Sequence, residues 1–294
     1  RSLGSRFDGP GDGRGPLGEI ASDAVANGIL WVNSGGNNGE DRYYRGPVRL
    51  IGNRVAFGDT GSDTFLELRS CIALGGMRWA NDWDKPPSDR TDYDLYLWES
   101  PPGDPSAGTV VDSSLRSQRT GAEPIELLTE DTCPIAGRSL YLEVRWVGGD
   151  IDGDVLEILD YSGGFTEHTQ AEHSAAVSIV DSADHGVIAT GAIDPPNGGV
   201  IASYSSQGPT NDGRIAPDVA APANFSTTVY AGKFAGTSAA AAVVAGGAAL
   251  LLDAGLASGP TTLGDLIRST TVDRGDPGPD NVYGHGEFRL PNPP

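Results

Sequence analysis

Basic side chains are scarce in this sequence. Twenty Lys and Arg stand against 40 Asp and Glu, a formal net charge of −20, and lysine occurs only at Lys85 and Lys233. A surface of that sign repels phosphate backbones and anionic headgroups, so nucleic acid and anionic membrane are excluded as partners. Long hydrophobic runs are missing too. The uncharged run Ala235 to Leu252 is dominated by Ala and Gly and is only modestly apolar, so it reads as a helix of the fold rather than a membrane span. Cysteine occurs only at Cys71 and Cys133. The two are near enough in sequence to share one domain, as a disulfide in an oxidising compartment or as a free buried pair. The sequence opens on Arg1-Ser-Leu-Gly-Ser-Arg-Phe7 with no starting Met, signal-peptide pattern or charged n-region, and a chain opening so abruptly is expected to be a piece of something longer.

What is present suits a globular protein of one or two domains. The chain has 294 residues, 38% of them hydrophobic, and its 42 Gly and 21 Pro imply many turns. Its most informative stretch is Phe234 to Gly255, FAGTSAAAAVVAGGAALLLDAG. Gly236 can take a backbone conformation closed to other residues, Thr237 and Ser238 favour a helix start, and the Ala-rich run propagates the helix. The Ser238 hydroxyl and N–H then sit at the positive end of a helix dipole, where developing negative charge is stabilised. Residues 239 to 252 carry no charge, which predicts a helix buried on all sides. Taken alone, the stretch reads equally as a plain capped helix.

Two further segments add meaning. Residues 24 to 39 read AVANGILWVNSGGNNG and residues 201 to 222 read IASYSSQGPTNDGRIAPDVAAP. Followed by GTSAAAA and VAGGAAL, these resemble, in order, the motifs of the subtilisin-like serine proteases, or subtilases. The resemblance covers about 1 to 42 and 176 to 290. It implies an α/β fold: the C-terminal part of a subtilisin-like parallel-sheet domain. It also implies peptide-bond hydrolysis, with Ser238 as nucleophile and the Asn37 side-chain amide as oxyanion donor. Loss of such a donor costs about 10²- to 10³-fold in rate, a magnitude taken from subtilisin itself. Ser2, Leu3 and Gly4 match the strand that pairs with substrate, and Ser34, Gly35 and Gly36 would line its side-chain pocket. No cofactor is required, and the partner is a protein or peptide substrate of a secreted or cell-surface enzyme.

The serine needs a base and a carboxylate to orient it. In the family these are a His and an Asp in motifs upstream of everything here, so the resemblance implies an upstream segment carrying both. His168, His173, His185 and His285 sit in no matching context, and the chain alone is expected to lack turnover. Ala242 and Asp181 occupy positions where the family usually has Pro. Those departures motivate the alternative of a catalytically inactive pseudoprotease or protein- or glycan-binding module; an unrelated α/β fold is a third reading.

From Arg45 to about Thr169 the resemblance stops. Short strand-like stretches separated by turns, at 64–69, 72–79, 94–98, 125–128, 140–147 and 155–159, predict an inserted all-β sandwich. The expected divisions are 1–44, 45–172 and 173–294. Asp82, Asp84, Asp92 and Asp94 form one acidic group, and Asp150, Asp152 and Asp154 another; such carboxylates suit calcium, the second group being the better candidate. A helix is expected at 17–26, buried strands at 29–32 and 187–189, and a surface helix at 261–271. Asn224-Phe225-Ser226 is a glycosylation sequon.

Overall fold

The computed structural model describes residues 1–2, 6–58, 61–170, 177–195, 198–229 and 232–291. The chain divides into two compact units: unit 1 is Arg1–Gly39 with Ala171–Pro294, and unit 2 is Glu40–Gln170.

Unit 1 is built on a mixed sheet. Five of its six strands, β1 (Trp31–Ser34), β2 (Val187–Asp194), β3 (Val219–Pro222), β4 (Thr271–Val272) and β5 (Glu287–Phe288), lie in the order β1-β2-β3-β5-β4, and the short strand Val200–Ile201 pairs antiparallel with β2. The first four in that order run parallel, with Trp31 opposite Val187, Thr190 opposite Val219 and Ala220 opposite Glu287. β2 is buried from Val187 to Ile193, as a parallel strand covered on both faces must be, and this explains its near-continuous run of small and apolar residues, Thr190 apart. The first strand begins at Trp31 rather than at the expected Ile29, whose side chain is exposed.

The helices of unit 1 are α1 (Pro16–Ala26), α2 (Thr237–Asp253) and α3 (Pro260–Ser269). α1 and α3 both carry Pro in the first turn, where the missing N–H costs nothing. α2 lies across β1, β2 and β3. Ala239, Ala240, Val244, Ala248 and Leu251 join Val32, Ile188, Val219 and Ala221 in one core, and Leu263 and Ile267 of α3 reach the same core. The expectation that α2 is buried on all sides is corrected here. Ala242, Ala245, Gly246, Ala249, Leu250 and Leu252 are exposed, so the sheet covers one face only. An Ala/Gly helix carries no polar stripe to mark which face that is.

Unit 2 holds two antiparallel sheets around a shared core that includes Trp79, Leu95, Leu142, Leu156 and Phe165. In one, Ser139–Gly148 pairs with Asp92–Ser100, which pairs in turn with Thr109–Ser114. In the other, Val155–Leu159 lies between Tyr43–Pro47 and Gly76–Trp79. Cys71 and Cys133 are joined in a disulfide, which settles the choice that the sequence left open. Where the chain leaves the unit, the Gln170 N–H donates to the Tyr43 carbonyl at 2.9 Å and its side-chain amide to the Arg45 carbonyl at 2.7 Å.

Candidate active site

Three segments of unit 1 meet at the N-terminus of α2. Gly236 caps the helix at φ 88°, a left-handed conformation that favours glycine, and Thr237 and Ser238 open the first turn. The N–H groups of that turn have no partner within the helix, so they must be met from outside. Asn37, in the loop after β1, does this. Its side-chain Oδ1 accepts both the N–H and the hydroxyl of Thr237, each at 2.9 Å. The Thr237 oxygen in turn accepts the Gly36 N–H at 3.2 Å, and Thr237 is buried. With Oδ1 held by two donors, the amide has one orientation. Its Nδ2 lies 3.2 Å from where a Cβ on Gly236 would stand, so only glycine fits there without pressing on Asn37.

The third segment, 203–209, braces the other two. The Gly236 N–H donates to the Tyr204 hydroxyl at 3.0 Å, and burial pushes that hydroxyl's pKa up. The Ser206 N–H donates to the Gly36 carbonyl at 3.0 Å, while the Ser206 hydroxyl accepts the Asn38 N–H at 3.2 Å. A Cβ on Gly36, which sits at φ 109°, would come within 2.6 Å of the Ser206 hydroxyl oxygen. The Gly39 N–H bonds to the Tyr204 carbonyl at 3.1 Å and the Ala192 N–H to the Ser205 hydroxyl at 3.0 Å. The roles of Thr237, Tyr204 and Ser206 escaped the reading of the sequence, although all three lie inside its motifs.

Ser238 is half-buried, and its hydroxyl donates to the Ser2 carbonyl at 3.1 Å. Ser34 is buried on β1, the Gly35 N–H donates to the Thr190 carbonyl at 2.9 Å, and Gly36 joins the Thr237 network, so Ser2, Ser34, Gly35, Gly36, Asn37 and Ser238 lie within unit 1 around the β1 end. Leu3 and Gly4 lie outside the described residues.

Among the described residues no imidazole hydrogen-bonds to Ser238. His185 instead pairs with Asp265, Nδ1 to Oδ1 2.7 Å, on the wall of a 450 Å³ cleft whose lining includes neither Ser238 nor Asn37. His285 lines the same cleft, and burial, reinforced by Arg268, pushes its pKa down. His168 belongs to unit 2, and His173 is outside the described residues.

Among the described residues the acidic groups of unit 2 do not bring three carboxylate oxygens within 4.8 Å of one another. Asp154 is buried and accepts the Tyr93 hydroxyl at 2.7 Å, whereas Asp150 accepts the N–H of Asp152 at 3.0 Å on the surface. Asp82 takes the Trp79 indole N–H and pairs with Lys85, and Asp92 takes the Ser117 hydroxyl. Among the described residues the group of metal-ligating side chains that does converge is a different one, Asp63, Glu167 and His168.

A family model described as the subtilase family, Peptidase S8, matches residues 160–286. Of solved structures, the Clostridium perfringens CspB protease superposes with a TM-score of 0.65 at 16% identity, covering 97% of this chain and 64% of that one. This chain therefore spans somewhat under two thirds of that protein's length, and the likeness shows a shared fold. The prenylagaramide maturation protease PagA (TM-score 0.31, 17% identity, 41% of this chain and 44% of that one) and a lanthipeptide protease (0.27, 22%, 36% and 39%) align over less and carry no argument. No curated protein matches the chain. Residues 160–286, the stretch that contains Ser238, are thus similar to the subtilase family.

Proposed function

We propose that the chain is the C-terminal part of the catalytic domain of a subtilisin-type serine endopeptidase, with unit 2 as an inserted β-sandwich. Ser238 attacks the scissile carbonyl of a protein or peptide substrate. The oxyanion is held by the Ser238 N–H, at the positive end of α2, and by the Asn37 amide. The base and its orienting carboxylate come from an upstream segment carrying His and Asp. Ser2 and the Ser34–Gly36 loop line the bound peptide.

One observation carries this reading. Asn37 Oδ1 is bonded to the residue just before Ser238, which fixes a neutral donor beside the nucleophile before any charge develops. That is the preorganisation oxyanion stabilisation needs, and an ordinary strand-to-helix turn does not require it. The disulfide of unit 2 supports an oxidising, secreted or cell-surface setting. No described helix is long and apolar enough to cross a membrane.

Ser238 bonding to a carbonyl rather than to an imidazole favours a second reading, a pseudoprotease whose unit 2 binds protein or glycan. Fluorophosphonate labelling separates the two, applied to this chain, to the product of the longer reading frame and to Ser238→Ala of each. Labelling of the longer form alone, abolished by Ser238→Ala, is the expected result. No labelling in either form would leave the pseudoprotease.

A further inference from the structure

We propose that Asp63, Glu167 and His168 bind a divalent ion of the zinc type within unit 2, a site that stands apart from the peptidase reading. One ligand atom from each lies within 4.8 Å of the others, and His168 Nε2 is 3.8 Å from both Asp63 Oδ2 and Glu167 Oε2. Donors around a tetrahedral ion bound at 2.0–2.2 Å stand about 3.4 Å apart, so each carboxylate need move only a few tenths of an ångström relative to the imidazole, while the two carboxylate oxygens, within 4.8 Å of each other, would draw together on the ion. Nε2 is shut off from solvent and has no hydrogen-bond partner among the described residues.

The groups behind the three ligands hold their orientation. Asp63 gives its other oxygen, Oδ1, to the Phe65 N–H at 3.0 Å, and Glu167 gives Oε1 to the Glu67 N–H at 3.3 Å. Each carboxylate is thus anchored by one oxygen and turns the second toward the imidazole, an arrangement found behind metal ligands. Gly58, at φ 71°, leaves room for the ring, since a Cβ there would come within 2.7 Å of His168 Nδ1. His168 and Gly58 also line a cleft of about 250 Å³, whose walls include neither Asp63 nor Glu167.

The donor set selects the ion. Two carboxylates and a neutral imidazole balance a charge of two, and the nitrogen donor favours zinc over calcium, which takes six to eight oxygens. Three protein ligands leave a position for water. The ion would tie the segment at Asp63 to the segment at 167–168.

The test uses the full chain without a histidine tag, stripped with EDTA and titrated calorimetrically with zinc chloride. Calcium chloride is the comparison, beside Glu167→Gln and His168→Gln. The expected result is one zinc per chain, bound more tightly than calcium and weakened by at least about 100-fold in either variant, with a zinc-dependent rise in melting temperature confined to the wild type. No zinc binding, weak binding at many acidic sites, or variants that bind like the wild type would overturn it. X-ray absorption on the wild-type zinc form decides the matter if a variant fails to fold: an imidazole with oxygen donors supports the site, and a first shell without imidazole refutes it.

Discussion

Thr237 makes more of the site's hydrogen bonds than the serine beside it: its N–H and hydroxyl both end on Asn37 and its oxygen takes the Gly36 N–H. Because it is buried, each of those groups would otherwise lack water, so the network is held by the cost of breaking it. A different buried group controls a pH response. Glu126, in unit 2, has its pKa pushed up from 4.5 to about 7, chiefly by burial, with opposing hydrogen bonds from Ser114, Gln118 and the Arg116 N–H. Its folded-state pKa is the raised one, so its contribution to stability is full below about pH 4.5 and is lost as pH rises through about 7. The melting temperature of the wild type should fall across that window relative to that of Glu126→Gln, which cannot ionise; parallel pH profiles for the two proteins would refute the assignment. The candidate nucleophile and oxyanion donor were legible in the sequence because each sits in a local motif. The part played by Thr237 was not, since its partners lie about 200 positions away and leave no local pattern.

Among the elements, α2 shows how small residues set a packing distance. Gly247 faces Phe288 of β5 so closely that a Cβ would stand 2.6 Å from the ring's Cζ, and the ring belongs to the core. Gly246, one residue earlier, is exposed and a Cβ there meets nothing within 4 Å. Gly247→Ala should therefore cost about 1–3 kcal/mol through overpacking. Gly246→Ala should add up to about 1 kcal/mol through helix propensity. Urea unfolding of the two variants checks the opposite signs, and equal effects would contradict the packing described. Both glycines look alike in sequence, which is why the buried face of α2 could not be read there. The long strands of unit 2 were readable from alternation, as in Asp92–Ser100. Leu50–Ile51 and Arg54–Val55 are two residues each, too short for a period to register, and Thr109–Ser114 has three exposed residues at its start where alternation would be expected.

At the scale of the molecule, the disulfide closes a segment with a sequence separation of 62. Chain-entropy reasoning puts the gain from a loop of that size at about 4 kcal/mol. Cys71→Ser with Cys133→Ser should lower the thermal stability of unit 2 accordingly, and calorimetry in which both transitions stay unmoved would show the loop to be constrained by other means. The division of the chain is also visible in how unit 2 begins and ends, with Gln170 bonded to Tyr43 and Arg45. This has a consequence for the order of events during synthesis. Residues 1–39 emerge long before the strand that β1 pairs with, because all of unit 2 lies between them. Once unit 2 has folded as a unit, the bonds of Gln170 to Tyr43 and Arg45 bring its last residue back to its first strand, and the nascent chain resumes beside the place where it broke off.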